Sequence, residues 1–423
     1  MHEVRRLTLA ATAFLALSAG SALAQEVSFM GWVGLFDFQK KGWDNIVSSF
    51  EKSHPGMTVK YIGTPNEQTL NQAVVAINGG QSPDIVQVNP GWVSQLNGMS
   101  ALTNLSDKLP KTTLDNIPQG YRDAMTFDGS LVAVPWIPGP IAMVYNRTLM
   151  KEAGLDPDHP PQTWQEFTSA VDAICALGDK NGGKVYGVAL RTAQQPASGL
   201  WTLPIIWAQG GDVVDAGGKV NFDTDATKST LTWLHDVIGK GCAPEFADIQ
   251  QSRNLFAQGR AGFIFEGPWI GGIVANISGG ALKVGKDADA WMANMPASDG
   301  KSPRDLDNSN MLVLTKKGAD NPAAAAFVDF IISDPQAVEY FYETSNQLTT
   351  GRTDLIGAGK MGQDPYVQAF AAILKNANPL PIRDVQATGM YDALSKAMQA
   401  VIKGADVAGE IATLDSAVER LAD

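Results

Sequence analysis

The chain has 423 residues, with 44 acidic against 32 basic side chains and a formal net charge of −12. That acidic balance argues against nucleic acid or an anionic membrane as partner. Its length points to two or more lobes rather than one core.

Residues 1–24 read as a targeting segment. Arg5 and Arg6 give a positive start, Leu7 to Leu17 a short apolar core, and Ala22-Leu23-Ala24 a small-residue cleavage site. The apolar stretch is too short for a good membrane span. Gln25 follows where a lipoprotein would carry cysteine, so the expected mature chain is free, unlipidated and periplasmic. Removing Glu3, Arg5 and Arg6 takes the net charge from −12 to −13.

Strand-like and helix-like segments then alternate, which predicts an α/β architecture. Val27–Met30 reads as a strand, Trp43–Glu51 as a helix and Thr58–Tyr61 as a strand after the turn His54-Pro55-Gly56. Gln68–Asn78 is a helix stopped by Gly79-Gly80, and Ile85–Val88 a strand. Leu131–Val134 and Met143–Tyr145 read as strands separated by a crossing that Pro135, Pro138 and Pro140 keep irregular. Thr163 and Glu166 form a capping box opening a helix with Phe167, Ala170, Val171 and Ile174 on one face. Val185–Leu190, Gly262–Phe265 and Met311–Thr315 read as strands, and Ala226–Ile238 as a helix. Pro322 and Pro335 each open a further helix. The last 40 or so residues are helical in pattern. Cys175 and Cys242 remain: in an oxidising compartment they form a bridge that stiffens one lobe, or Cys175 is a small core residue.

The sequence contains no P-loop, dinucleotide-binding glycine pattern, nucleophile elbow or zinc-protease helix. Residues 127–167 instead carry a long ordered pattern: Gly129, Pro135, Tyr145-Asn146-Arg147, Gly154-Leu155 and Pro160-Pro161-Gln162-Thr163-Trp164-Gln165-Glu166-Phe167. This stretch resembles the extracellular solute-binding protein family 1 of ABC importers, which includes the maltodextrin-binding proteins. Four further stretches resemble that family in the same order. They are Phe50-Glu51 with Pro55-Gly56-Met57-Thr58-Val59, Gly80–Ile85, Phe256–Gly262 with Gly267-Pro268-Trp269, and Ala323–Ile332.

The resemblance implies a two-lobed periplasmic binding protein fold with three hinge crossovers. They are expected at Pro135–Pro140, near Met295-Pro296 and around Ser345–Gly351. The N-terminal lobe would be residues 26–136 plus 298–347, and the C-terminal lobe 138–295 plus 350–423. It implies a monomer without cofactor or metal, binding a small-molecule carbohydrate between the lobes and delivering it to ABC transporter permease subunits.

A sugar site needs flat apolar walls and in-plane hydrogen-bonding groups. Trp32, Trp92, Trp136, Trp201 and Trp269 follow strands or lie in the first crossing, where ligands of open α/β sheets bind. Trp201 is read in a loop. Trp43, Trp164, Trp207, Trp233 and Trp291 are read as core. Asn89, Glu266 beside Gly267, Asn308 and Arg352 are the polar candidates. Gly139 stands about where maltodextrin-binding relatives place an acid, so the resemblance keeps their aromatic side and changes their charged side. A phosphorylated polyol would instead require several cations, with Arg191 and Arg352 available, and a polyamine several carboxylates. A glycoside hydrolase would require a carboxylate facing Glu266, and none stands out.

Overall fold

In the computed structural model, residues 25–422 are described except 181, 216–218 and 383–385. The targeting segment lies outside the described residues.

Two sheets organise these residues. The first runs in the order Met57–Gly63, Gln25–Gly31, Ile85–Val88, Asn310–Leu314, Val134–Ile137. Its first three strands are parallel and the fourth is antiparallel to its neighbours. Ile85–Val88 is buried along its whole length, as a parallel strand covered on both faces must be. The helices Asp37–Ser53 and Pro335–Ser345 pack together against this sheet's core. The second sheet runs Tyr186–Ala189, Ala261–Glu266, Pro140–Asn146, Asp305–Asp307, Ala377–Asn378, and Ala290–Ala293 also pairs with Pro140–Asn146. Its two faces carry separate cores, one around Phe167, Phe263 and Leu394, the other around Ile264, Tyr366 and Phe370.

One pair of extended segments belongs to both sheets. Ile137 pairs with Asn310 in the first sheet, and Pro140 with Asp307 in the second. Between them the Asn308 N–H donates to the Gly139 carbonyl at 3.0 Å, and the Gly139 N–H donates to Ser309 Oγ at 3.1 Å. A Cβ on Gly139 would lie 2.7 Å from the Asn308 carbonyl oxygen and 2.9 Å from the Trp269 ring. Only glycine lets the two backbones approach so closely.

The second change of sheet therefore falls at Asn308-Ser309, not near Met295-Pro296. Ala290–Ala293 is already in the second sheet, and the Trp164 N–H donates to the Ala297 carbonyl, so the chain past Pro296 stays with that sheet. The strand Asp305–Asp307 that follows offers one apolar residue between two acids and so no strand signal. After Pro335–Ser345 the chain reaches the helix Pro365–Leu374, which packs on the second sheet.

Three local readings also change. Pro135 and Pro140 lie inside paired strands: Pro140 opens its strand, and Pro135 sits on an edge strand at a register shift, both places that tolerate proline. The strand expected over Leu131–Val134 is split between Ser130–Leu131 and Val134–Ile137. Trp201 lies not in a loop but in the helix Pro196–Ala208, which is apolar nearly all round and contains Pro204. A helix buried on all sides has no amphipathic period to read.

Cys175 and Cys242 form a disulfide with a Cα–Cα distance of 5.2 Å. It ties the end of the helix Trp164–Cys175 to the segment after the helix Asp225–Gly239. Converting both cysteines to serine should cost about 2–4 kcal/mol, measured by denaturant unfolding, and a change below 0.5 kcal/mol would show that the bridge does not constrain the fold.

Asp305 accepts from the Met295 N–H at 2.7 Å, and its second oxygen is buried without a partner among the described residues. Burial, opposed by that bond, raises it from 3.8 to about 7. The folded state thus holds a proton that the unfolded state releases, and stability should fall as pH rises from about 4 to about 7. Asp305→Asn should remove that slope and be more stable than the parent at pH 8, read from unfolding midpoints across pH.

Candidate ligand-binding cleft

A cavity of about 690 Å³ opens between the two lobes. Its aromatic wall on the first lobe is built at strand ends. Trp32 follows Gln25–Gly31, and Trp92 lies in the helix Pro90–Gly98 that follows Ile85–Val88. Their rings meet edge to face at 5.8 Å, a favoured arrangement for aromatic pairs. The wall is fixed from behind. Gln87 Oε1 accepts from the Trp32 and Val33 N–H groups at 3.0 and 3.1 Å, while its Nε2 donates to Asn310 Oδ1 at 2.7 Å. Any Cβ on Gly31 would strike Gln87 at 2.6 Å.

The second lobe supplies Trp201 and Trp269. Trp201 Nε1 donates to the Phe265 carbonyl at 3.0 Å, and the Arg191 guanidinium stacks 3.8 Å over its ring. Trp269 Nε1 donates to Glu266 Oε2 at 2.6 Å. Glu266 also accepts from Arg191 Nη2 at 2.8 Å and from Arg253 Nε and Nη2 at 2.8 and 3.1 Å. Burial works against its ionisation, but the Arg253 and Arg191 charges and the hydrogen bonds outweigh it and hold the carboxyl at about 2. Burial and then Arg253 pull Arg191 down, against the pull of Glu266, to about 10, where it is still charged at neutral pH.

Six of the residues expected at the site line this cavity: Trp32, Asn89, Trp92, Trp201, Trp269 and Asn308. Five are placed elsewhere. Trp136 is fully buried in the first lobe's core, 6.0 Å from Trp43 and 5.4 Å from Phe341, because its strand turns that side chain inward before the chain crosses over. Glu266 is fully buried behind the cavity wall and anchors Arg191, Arg253 and Trp269 instead of facing ligand. Gly139 belongs to the hinge, and Gly267 lets the Trp269 ring lie within 2.6 Å of where its Cβ would be. Arg352 turns to Asp354, with bonds of 3.0 and 2.7 Å.

Several lining residues escaped the sequence reading, among them Phe36, Gln39, Arg253, Gln347 and Tyr391. Arg253 carried a usable signal: it lies on the buried face of the helix Ile249–Ala257 with Phe256 and Ala257, and a charge there requires a partner. Gln347 carried none, since it sits in irregular chain after the helix Pro335–Ser345. Both amide atoms of Gln347, Asn308 Oδ1 and Gln39 Oε1 are buried without hydrogen-bond partners among the described residues. Left unmet, such groups cost about 1–3 kcal/mol each; the polar groups that open onto the cavity are others, Asn89, Gln195 and Gln250 among them.

Two lobes, a shared hinge and an aromatic cleft lined with amides define a hinged solute-binding protein. The family model for bacterial extracellular solute-binding proteins matches residues 37–338, and the chain belongs to that family. It is similar to the sn-glycerol-3-phosphate-binding periplasmic protein UgpB of Pectobacterium atrosepticum, with 24% identity over 99% of this chain and 95% of that protein. It is also similar to the maltotriose-binding protein of Pyrococcus abyssi, with 23% identity over 74% of this chain and 64% of that protein. In fold it matches an ABC transporter solute-binding protein from Thermotoga lettingae TMO with α-D-tagatose bound. The TM-score there is 0.83 at 19% identity, covering 94% of this chain and 99% of that one.

The different placements of two tryptophans can be separated by stability. Trp136→Ala should cost about 3–5 kcal/mol of unfolding free energy, whereas Trp92→Ala, at the partly open cleft wall, should cost under half as much. Equal losses would put both rings in the same environment.

Proposed function

We propose that the protein is the periplasmic substrate-binding component of an ABC importer and that its cargo is a carbohydrate. The observation that carries this reading is the pairing of tryptophans from both lobes with accessible amide side chains in one cleft. Sugars present apolar C–H faces to stack on Trp32, Trp92, Trp201 and Trp269, and a rim of hydroxyls that both donate and accept. Asn89, Gln195 and Gln250 on the same walls are accessible amides that offer both donors and acceptors. The maltotriose and tagatose named for two similar proteins fit the same chemistry.

The ligand enters the open cleft, bridges the two walls and favours the closed arrangement by contacts that only that arrangement makes. Rotation is concentrated at the short strand crossings 138–139 and 308–309. The closed monomer then docks on its permease subunits. Catalysis has no part in this scheme. Glu266, the acid that a glycosidase reading would use, accepts four hydrogen bonds and stays ionised down to about 2, so it has no proton to give a leaving group.

A thermal-shift screen of the mature protein against mono- and oligosaccharides, polyols and polyamines tests the reading. A sugar at 100 times its dissociation constant should add about 2.7 kcal/mol of stability. A response to amines alone, with silence across all carbohydrates, would overturn it.

A further inference from the structure

The cleft wall of the second lobe holds more positive than negative charge. Arg191 and Arg253 are 9% and 7% exposed, both line the cavity, and both are satisfied by one carboxylate, Glu266. That carboxylate is full: three guanidinium bonds and the Trp269 N–H occupy the roughly four acceptor positions that a carboxylate has. Among the described residues no other acceptor meets either guanidinium, and the Arg191 Nε and the Nη1 groups of both arginines are left over.

Two buried cations against one buried anion is an unbalanced cluster. A charge removed from water without a counter-charge is costly by several kcal/mol, and proteins rarely leave one so. Glu67, across the cavity on the helix Asn66–Asn78, is the one other carboxylate in the described wall. It is solvent-exposed, and its pull is the weakest among the influences on Arg191. None of the leftover nitrogens is among the buried atoms without a partner, so they open onto the cleft, where a ligand can bring the missing negative charge. Its place is set by the stacking of Arg191 on Trp201: a sugar ring against that wall brings a substituent to the edge of the guanidinium, the geometry in which arginine binds an oxyanion through paired N–H bonds.

Resting on the carbohydrate reading, we infer that the cargo is an acidic sugar, whose carboxylate or phosphate ester binds the unpaired N–H groups of Arg191 and Arg253 over Trp201. One hydrogen bond to a charged group changes affinity by about tenfold or more.

The test is isothermal titration of the mature protein with matched probes: galactose, galacturonate and its methyl ester, glucose, glucuronate and glucose 6-phosphate, and galacturonate oligomers of two and three residues with and without methyl esterification. The expected result is that an acid binds at least tenfold more tightly than its neutral ester or parent sugar, that its affinity falls as salt is raised from 50 to 500 mM, and that Arg191→Gln narrows the acid-to-neutral ratio. Preference for uronate over sugar phosphate, or the reverse, identifies which oxyanion is read. A neutral sugar or ester binding as tightly as its acid overturns the inference and leaves the carbohydrate reading standing. Binding by no sugar, charged or neutral, in titration or in the wider carbohydrate screen overturns both. Should Arg191→Gln fail to fold, the ester pairs and salt series on the unaltered protein decide alone.

Discussion

Everything in this molecule is hung on one antiparallel strand pair, residues 134–146 against 305–314, whose two halves belong to different sheets. Its ladder is nearly unbroken, yet at Gly139 and Asn308 the backbones come so close that no side chain fits on the first. Each sheet carries its own cores, so each lobe is held rigid by burial while the crossing between them is held only by short extended chain. Rigidity within the lobes and freedom between them follow from where the apolar surface is buried, and need no special hinge sequence.

The second organising element is Glu266. It was read from the sequence as a ligand-facing carboxylate, and the structure makes it the anchor that aims three side chains at the cleft. The inversion has a physical cause. A fully buried carboxylate at a strand end is stable only when saturated with donors, and once saturated it has nothing left for a ligand. The groups that do face the cleft are the ones it orients, with the charge they carry between them only half cancelled.

Much of the fold was legible because its signals are local. The capping box at Thr163 and Glu166 forms with both of its bonds, and Pro322 and Pro335 open the helices they mark. Short strands rich in β-branched residues, such as Ile85–Val88, stand where their composition puts them. What was not legible is what depends on distant chain. Asp305–Asp307 is a strand only because Pro140–Asn146 and Ala377–Asn378 flank it. Trp136 and Trp32 lie near the same strand ends, and which of them borders the cavity is decided by the direction of a side chain at a crossing that composition does not encode. Arg253 and Gln347 reach the cleft from a helix and from irregular chain far from the recognisable motifs.

The Gln87 side chain binds the backbone at Trp32 and Val33 on one side and Asn310, the first residue of a hinge-crossing strand, on the other. The aromatic wall therefore cannot shift without the strand that sets the angle between the lobes. Spacing across the cleft and the angle of the jaws are one mechanical variable, and the protein works as a calliper. A ligand too thick for the gap holds the jaws at a wider setting, so the size of what is bound is displayed on the outer surface as the relative orientation of the two lobes.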